Sequence, residues 1–169
     1  MKEIILDKFN LGILDELMRD SRQTVQQIAQ SVGLSTSPCW KRIKEMEAAG
    51  VIRGYTAVVE PQMVGLGLCV IVEANMAAHT EENVRKLEKA IAACPQIVRC
   101  VSTTGESDYV MTVLVADIKT YEQFQHDTLF QLPGITHVRS RIVLRELKAA
   151  APLPVMANVP RVRPSRRRG

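Results

Sequence analysis

Hydrophobic residues in the first fifty positions recur at the spacing of α-helices. Residues 7–19 form the first such segment, which either Asp7 or Asn10 could cap. Its apolar side consists of Leu6, Phe9, Ile13, Leu14 and Leu17. The next segment has apolar side chains at i, i+3, i+4 and i+7, the spacing of one helix face. They are Val25, Ile28, Ala29 and Val32. The pattern therefore predicts two helices that each bury one side.

A third helix is predicted just after Gly33, where a left-handed residue would end the second one. Ser35, Thr36 or Ser37 could cap it, and Pro38 suits its first turn. The side predicted to face the core carries Cys39, Ile43 and Met46. The opposite side carries Ser37, Lys41 and Lys44, and residues 35–44 hold three cations and no acid. This arrangement predicts a helix-turn-helix whose third helix enters a DNA major groove. The alternative is an ordinary helical hairpin with a solvated face.

The hydrophobic period changes to two at Gly67, which is typical of strands. Predicted strands cover residues 68–76, 97–103, 109–116 and 136–147. One predicted helix runs from Thr80 to Pro95 and a second covers residues 118–132, before Leu132-Pro-Gly134. The order βαββαβ predicts a ferredoxin-like antiparallel sheet with helices on one face. Apolar residues on the other face predict packing against a second sheet. The fold class is therefore α+β.

The segment between these two regions is rich in β-branched residues. Residues 51–59, VIRGYTAVV, are predicted to form a strand that Glu60-Pro61 ends. A single strand needs a partner, since an unpaired edge leaves its backbone groups exposed. Pairing with the same strand of a second copy would give a two-fold dimer. Pairing within the chain is the alternative.

Net charge is unevenly distributed along the 169 residues. The chain carries +4, but the nine residues from Arg161 onward contain five arginines and no acid. Without them the rest carries −1, so any affinity for nucleic acid depends on local arrangement, on the tail or on oligomerisation. The tail is predicted to be disordered, and it could act as a phosphate-binding arm. A solvated end without a role is the other interpretation.

Several classes of protein are not indicated. No apolar run reaches the roughly 20 residues of a membrane span, and the start does not resemble a signal peptide. The cysteines Cys39, Cys69, Cys94 and Cys100 form no CxxC pair and suit reduced thiols in a cytoplasm. The histidines His79, His126 and His137 lack metal-ligand spacing. Because no nucleophile–base pair, Walker loop or HExxH motif occurs, we expect neither an enzyme nor a cofactor.

Each polar residue of the third helix has a predicted role. Ser37, Lys41 and Lys44 are predicted to face the groove, where hydroxyls and lysines can bind base edges or phosphates. Arg42 lies on the flank and is predicted to bind phosphate. Ser35 and Thr36 could share a phosphate with backbone N–H groups at the helix start. Trp40 is expected to pack beneath the DNA-facing side, with a base contact as the alternative.

The loop between the second and third strands, residues 104–108, contains Gly105 and Asp108. Its N–H groups could bind the carboxylate of a small molecule while Asp108 binds an ammonium group. A hairpin turn also favours Gly and Asp, and from these residues alone the structural role is the favoured interpretation.

Three stretches resemble the Lrp/AsnC family, the feast/famine regulators of bacteria and archaea. They are GLSTSPCWKRIKEMEAAGVIRGYTAVV in the helix-turn-helix, STTGESDYVMTVLVAD around the glycine-acid loop, and LPGITHVRSRIVLRELK at the end. The resemblance covers about residues 4–148. It implies a helix-turn-helix domain of winged-helix type over residues 4–50, a strand-containing linker over 51–66 and a ligand-sensing and oligomerisation domain over 67–148. The basic tail, 149–169, departs from the family pattern.

The resemblance also implies partners and site residues. Family members dimerise through their regulatory sheets, commonly assemble into octamers, and bind amino acids or related metabolites between dimers. The positions that match the family's effector site are Gly105, Glu106, Ser107, Asp108, Tyr109, Leu132, Pro133, Gly134 and Thr136. The expected function is a cytoplasmic, nucleoid-associated regulator of transcription that binds double-stranded DNA and responds to an amino acid. The alternatives are an architectural DNA-packaging protein and a metabolite-binding regulatory subunit of an enzyme.

Overall fold

The structure is a computed structural model of the single chain, and it describes residues 4–148 and 151–154. The described chain divides into two compact units: the first comprises residues 4–57 with residues 148 and 151–154, and the second comprises Val58–Leu147. Residues 151–154 are exposed and have no regular secondary structure, and the rest of the predicted basic tail lies outside the described residues. None of the described helices is long and apolar enough to cross a membrane.

The first unit contains three helices, α1 (Lys8–Arg19), α2 (Val25–Val32) and α3 (Thr36–Ala48). Asp7 caps α1, because its carboxylate accepts from the N–H groups of Phe9 and Asn10. Thr24 and Gln27 form a capping box at the start of α2. Gly33 ends α2 with a φ of +71°, as its position after the apolar face predicts.

One apolar stripe from each helix meets in the core of this unit. The buried hydrophobic residues are Ile13, Ile28, Ala29, Cys39, Ile43 and Met46. Burying each large side chain contributes about 1.5–3 kcal/mol, so a core of this size gives a modest stability. Because Cys39, Ile43 and Met46 belong to this core, α3 has one buried side and one exposed side, as predicted.

Within the single chain described, the linker does not form the predicted strand. Residues 53–60 have no regular secondary structure, and a 3₁₀ turn follows at Pro61–Val64. A strand requires a hydrogen-bonded neighbour, and no segment of the described chain pairs with these residues. Val58 and Val59 are consequently exposed, at 89% and 56%.

The second unit is a four-stranded antiparallel sheet with two helices on one face. Its strands are β1 (Leu68–Met76), β2 (Ile97–Ser102), β3 (Tyr109–Val115) and β4 (Ile135–Ile142), in the order β2-β3-β1-β4. Its helices are α4 (Glu81–Ala92) and α5 (Ile118–Asp127). This arrangement confirms the predicted α+β class and the βαββαβ order.

The helix α5 and the strand β4 end furthest before their predicted bounds. The helix α5 stops at Asp127 and a separate 3₁₀ turn covers Leu129–Gln131, because Thr128 between them leaves helical geometry. The strand β4 stops at Ile142 instead of continuing to 147. Its partner β1 begins at Leu68, and the last contact is from the Val143 N–H to the Cys69 carbonyl. Beyond that point β4 has no neighbour to pair with.

The two faces of the sheet differ. Alternate residues of β1 and β3 pack under α4 and α5, with Leu87, Tyr121 and Phe124 from the helical layer. The residues between them form the open face, which no helix of this unit covers. They are Cys69, Ile71, Glu73 and Asn75 from β1, with Val110, Thr112 and Leu114 from β3. This face is apolar toward Cys69 and Leu114 and polar toward Asn75.

Candidate DNA-binding and effector sites

The two sides of α3 lie as the sequence predicts. Cys39 and Met46 are fully buried and Ile43 is 6% exposed. Ser37, Lys41 and Lys44 are all exposed on the other side. The apolar side fixes the helix to its own unit, which leaves a hydroxyl and two cations in solvent along about two turns.

The start of α3 also presents polar groups to solvent. Ser35 occupies the N-cap position, but its side chain makes no capping hydrogen bond. Thr36 and Ser37 follow it and are exposed. A helix start that presents N–H groups and hydroxyls together suits an oxygen-rich anion such as a phosphate.

Lys44 is held by an acid at the other end of α3. Its Nζ lies 2.7 Å from a carboxylate oxygen of Glu47, and the Tyr55 hydroxyl donates to the other oxygen at 3.0 Å. The hydrogen bond from Lys44 lowers the pKa of Glu47, while burial and the nearby carboxylate raise the pKa of Tyr55. Glu47 is therefore ionised at neutral pH, and its carboxylate partly neutralises the charge of Lys44.

Two flanking residues differ from expectation. Arg42 does not extend into solvent: its Nη1 lies 2.8 Å from Asp7 Oδ2 and donates to Asn10 Oδ1 at 2.9 Å. Trp40 is 53% exposed, so the structure does not support packing beneath the DNA-facing side. Its position directly after the buried Cys39 turns it away from the core.

In the second unit, the glycine-acid loop is tied to the end of β1 by Asp108. The Met76 N–H donates to Asp108 Oδ2 at 2.8 Å, and His79 Nε2 lies 3.2 Å from Oδ1. The Asp108 carbonyl also accepts from the Thr103 N–H. Both carboxylate oxygens therefore have partners in the protein, which favours a structural role over a direct contact with an ammonium group.

The segment after α5 reaches the same end of β1. The Ala77 N–H donates to the Gly134 carbonyl at 2.9 Å, and the Thr136 hydroxyl donates to the Asn75 carbonyl at 3.2 Å. Asn75 Nδ2 in turn donates to the Glu106 carbonyl at 2.9 Å. The fold thus brings together the two segments that the resemblance assigns to the effector site.

Not every residue of those segments can contact a ligand here. Tyr109 and Leu132 are 8% and 6% exposed and belong to the core under the helices. Pro133 is half-buried. Gly105 has a φ of +118°, which lets the exposed loop turn, and Gly134 turns with a φ of +76°. These residues shape the end of the sheet, whereas Glu106 is exposed and Ser107 is partly buried.

Two adjacent depressions lie on the polar end of the open face. Their volumes are about 280 and 290 Å³, and both are lined by Glu73, Glu106 and Ser107. The first also contains Asn75, His137, Val138 and Arg139, and the second Thr103, Thr104, Val110 and Arg141. Glu73 is ion-paired with Arg141. Arg139 lies 3.9 Å from both Glu73 and Glu106, which is a loose contact.

Family models match both units. A model of a winged helix-turn-helix DNA-binding domain matches residues 6–53, and one of the Lrp/AsnC ligand-binding domain matches residues 69–153. The chain belongs to the Lrp/AsnC family. It is thus a DNA-binding transcriptional regulator with a ligand-binding domain.

Relatives of this Lrp/AsnC regulator match over most of its length. It is 32% identical to the DNA-binding transcriptional activator DecR of Escherichia coli K12, over 89% of this chain and 99% of that protein. It is 34% identical to the leucine-responsive regulatory protein of Haemophilus influenzae, over 85% and 86%. A Neisseria meningitidis transcriptional regulator, solved as a complex with L-Met, superimposes with a TM-score of 0.84 at 31% identity, over 89% and 97%. These relatives are regulators, not enzymes.

The residues that sequence reasoning missed in the depressions of this Lrp/AsnC regulator include Glu73, Asn75, Arg139 and Arg141. A signal was present in each strand. Glu73 and Asn75 interrupt an otherwise apolar β1, and two arginines alternate along β4. The register places Glu73 opposite Arg139 and Ile71 opposite Arg141, which the sequence alone could not fix.

Proposed function

We propose that this protein is a sequence-specific regulator whose α3 reads base edges in a DNA major groove. One observation carries the proposal: the apolar side of α3 is buried while Ser37, Lys41 and Lys44 stand exposed on the other side. Serine and lysine are suited to base edges and phosphates. Ser35 and Thr36 at the helix start would bind a phosphate, and the exposed Trp40 is available for contact at the edge of the DNA.

Selection from a randomised duplex pool tests this proposal. The full chain should enrich a two-fold symmetric site with half-sites about one helical turn apart. Recovery of no preferred site would contradict it and would favour the architectural alternative, for which the arginines from 161 onward provide a reason. Deleting residues 155–169 separates the two functions: an architectural protein would lose most of its affinity for random DNA, whereas a specific regulator would keep its affinity for the selected site.

The effector is proposed to be an amino acid bound in the depressions of the open face. Arg139, whose contacts with both neighbouring acids are loose, would bind the α-carboxylate. The carboxylate of Glu106, which is exposed, would accept hydrogen bonds from the ammonium group, and Ser107 would contribute polar atoms. The L-Met complex of the Neisseria relative supports an amino acid as the class of ligand.

A thermal-shift screen of the amino acids tests the effector proposal, because a ligand bound to the folded state raises its apparent stability. One or a few amino acids should raise the unfolding temperature of the wild type. The same ligand should have little effect on Arg139→Gln and its full effect on Arg145→Gln, an exposed arginine beyond the end of β4. An unchanged response of Arg139→Gln would exclude this site.

A homodimer through the open face is proposed as the basic assembly, with an octamer formed from four dimers. The apolar half of this face, around Cys69, Ile71 and Leu114, is only partly buried within one chain. Sheets of this kind commonly pack face to face. Residues 51–59 of two copies could then pair as strands and satisfy the backbone groups that lack a neighbour in one chain. The proposed location is the cytoplasm, at the nucleoid.

A further inference from the structure

We infer that Arg42 orients the recognition helix from within the protein and does not contact DNA. Its guanidinium lies 2.8 Å from Asp7 Oδ2, donates to Asn10 Oδ1 at 2.9 Å, and stands 5.4 Å from the centre of the Phe9 ring. All three partners belong to the start of α1. The side chain of Arg42 is 28% exposed, whereas the ion-paired side chains of Arg19 and Lys44 in the same unit are 64% and 52% exposed.

The partners of Arg42 are themselves fixed in place. Asp7 uses Oδ1 to cap α1 and Oδ2 to hold Arg42, so one carboxylate begins one helix and holds another. Asn10 is 4% exposed, and among the described residues it alone combines a polar side chain with a buried position. Its Nδ2 donates to the Ile5 carbonyl at 2.9 Å, which leaves Oδ1 directed at Arg42. Arg42 therefore meets a prearranged site.

This site supplies a constraint that the hydrophobic core lacks. Apolar contacts of Cys39, Ile43 and Met46 keep α3 against the core, but they are non-directional and resist a small roll of the helix only weakly. A planar guanidinium held by two oxygens and one aromatic ring has a defined direction. Because Lys41 precedes Arg42 directly in α3, a roll of the helix would displace the DNA-facing side chains. Site geometry in general depends on such supporting contacts.

Binding of a phosphate by Arg42 is the competing interpretation, and salt dependence separates the two. Each phosphate contact contributes about one unit to the slope of log affinity against log salt concentration. A residue that only positions the helix leaves this slope unchanged, but reduces discrimination between the correct and an incorrect sequence. A general loss of folded protein would reduce binding to both sequences equally.

The experiment compares Arg42→Lys, Arg42→Gln and the wild type on two duplexes: the tightest one recovered from a randomised pool and a scrambled version of it. We expect both variants to lose about tenfold in affinity for the selected duplex, with a much smaller loss on the scrambled one and no change in salt slope. Lysine keeps the charge but lacks the planar group, so it should not restore discrimination. Recovery by lysine, or a slope lowered by about one in Arg42→Gln, would overturn the inference.

A second variant keeps the test independent of any folding defect in Arg42→Gln. Asp7→Asn retains an oxygen for the α1 cap but removes the charge that holds Arg42. It should reproduce the loss of discrimination. The double variant, Asp7→Asn with Arg42→Gln, should discriminate between the two duplexes no less than either single variant. Full discrimination by Asp7→Asn would contradict the inference. The inference depends on the proposed role of α3, but different results would refute each of them. A wild type that does not prefer the selected duplex refutes the proposed function. A wild type that discriminates between the duplexes, together with variants that discriminate equally well, refutes only the role of Arg42.

Discussion

Among single residues, Lys41 is the most direct test of the DNA-facing surface. Lys41→Ala should weaken binding to all sequences by a similar factor and lower the salt slope by about one contact, because the removed ammonium no longer displaces a counterion. Fluorescence anisotropy across a salt series measures both quantities. The matched control is Lys89→Ala, an exposed lysine in α4 of the other unit. Equal slopes for Lys41→Ala and the wild type would remove this residue from the interface.

Asp7 gives a pH prediction at the same scale. Burial opposes ionisation of its carboxyl, but the Asn10 N–H and the Arg42 guanidinium outweigh that effect and lower the pKa below the ordinary 3.8. The charged form is therefore favoured in the folded state. Its stabilising contribution is present above pH 3.8 and is lost as the pH falls through the lower folded pKa.

Urea unfolding at a series of pH values measures this contribution. The wild type should be more stable than Asp7→Asn at neutral pH, and the difference should shrink toward zero in acid. A difference that grows as the pH falls would show that the sign of the pKa shift is wrong.

At the scale of elements, the C-terminal end of α3 contains its own restraint on DNA binding. Glu47 holds Lys44, and a phosphate must displace this acid before it can pair with the lysine. Glu47→Gln should therefore raise DNA affinity by about two- to tenfold, since it removes a competing and repelling charge. Tyr55→Phe should have a smaller effect, because Tyr55 contacts only the acid. An affinity unchanged in Glu47→Gln would show that Lys44 does not take part in binding.

The junction between the glycine-acid loop and β1 yields a paired prediction. Asp108→Ala leaves the N–H of the buried Met76 without its acceptor, which should cost about 1–3 kcal/mol in the free energy of unfolding. Asp108→Asn keeps an oxygen at that position and should lose less. Chemical denaturation followed by circular dichroism measures both, and DNA binding at saturating protein should persist in each. Equal losses in the two variants would indicate that the charge, and not the hydrogen bond, matters.

Local periodicity was enough to predict the helices and the two sides of α3, because a buried stripe is encoded in neighbouring residues. It failed where the determining contact is distant along the chain. Arg42 meets Asn10, 32 positions earlier, and Asp108 meets Met76, also 32 positions earlier. Likewise β4 ends where β1 offers no further partner, although its own sequence remains suited to a strand. Residues 51–59 likewise have no strand partner within the described chain.

At the scale of the whole molecule, the proposed dimer makes DNA binding depend on the open face of the sheet. Leu114 lies on the apolar half of that face and is partly buried within one chain. Leu114→Lys would place an ammonium group between two sheets, where an unpaired charge is strongly unfavourable. We expect this variant to fold but to remain monomeric. The control is Ile118→Lys, which changes an exposed apolar residue at the start of α5 in the same unit.

Mass measurement by sedimentation and DNA binding by anisotropy then give linked results. A dimer presents two copies of α3 to two half-sites, so the monomeric variant should show about half the salt slope of the wild type. Its affinity for the full site should fall to that for a single half-site, because the second contact no longer benefits from a high effective concentration. Circular dichroism confirms that the variant is folded. A folded Leu114→Lys dimer that binds like the wild type would show that the two copies associate through another surface, and the open face would then be available to ligands alone.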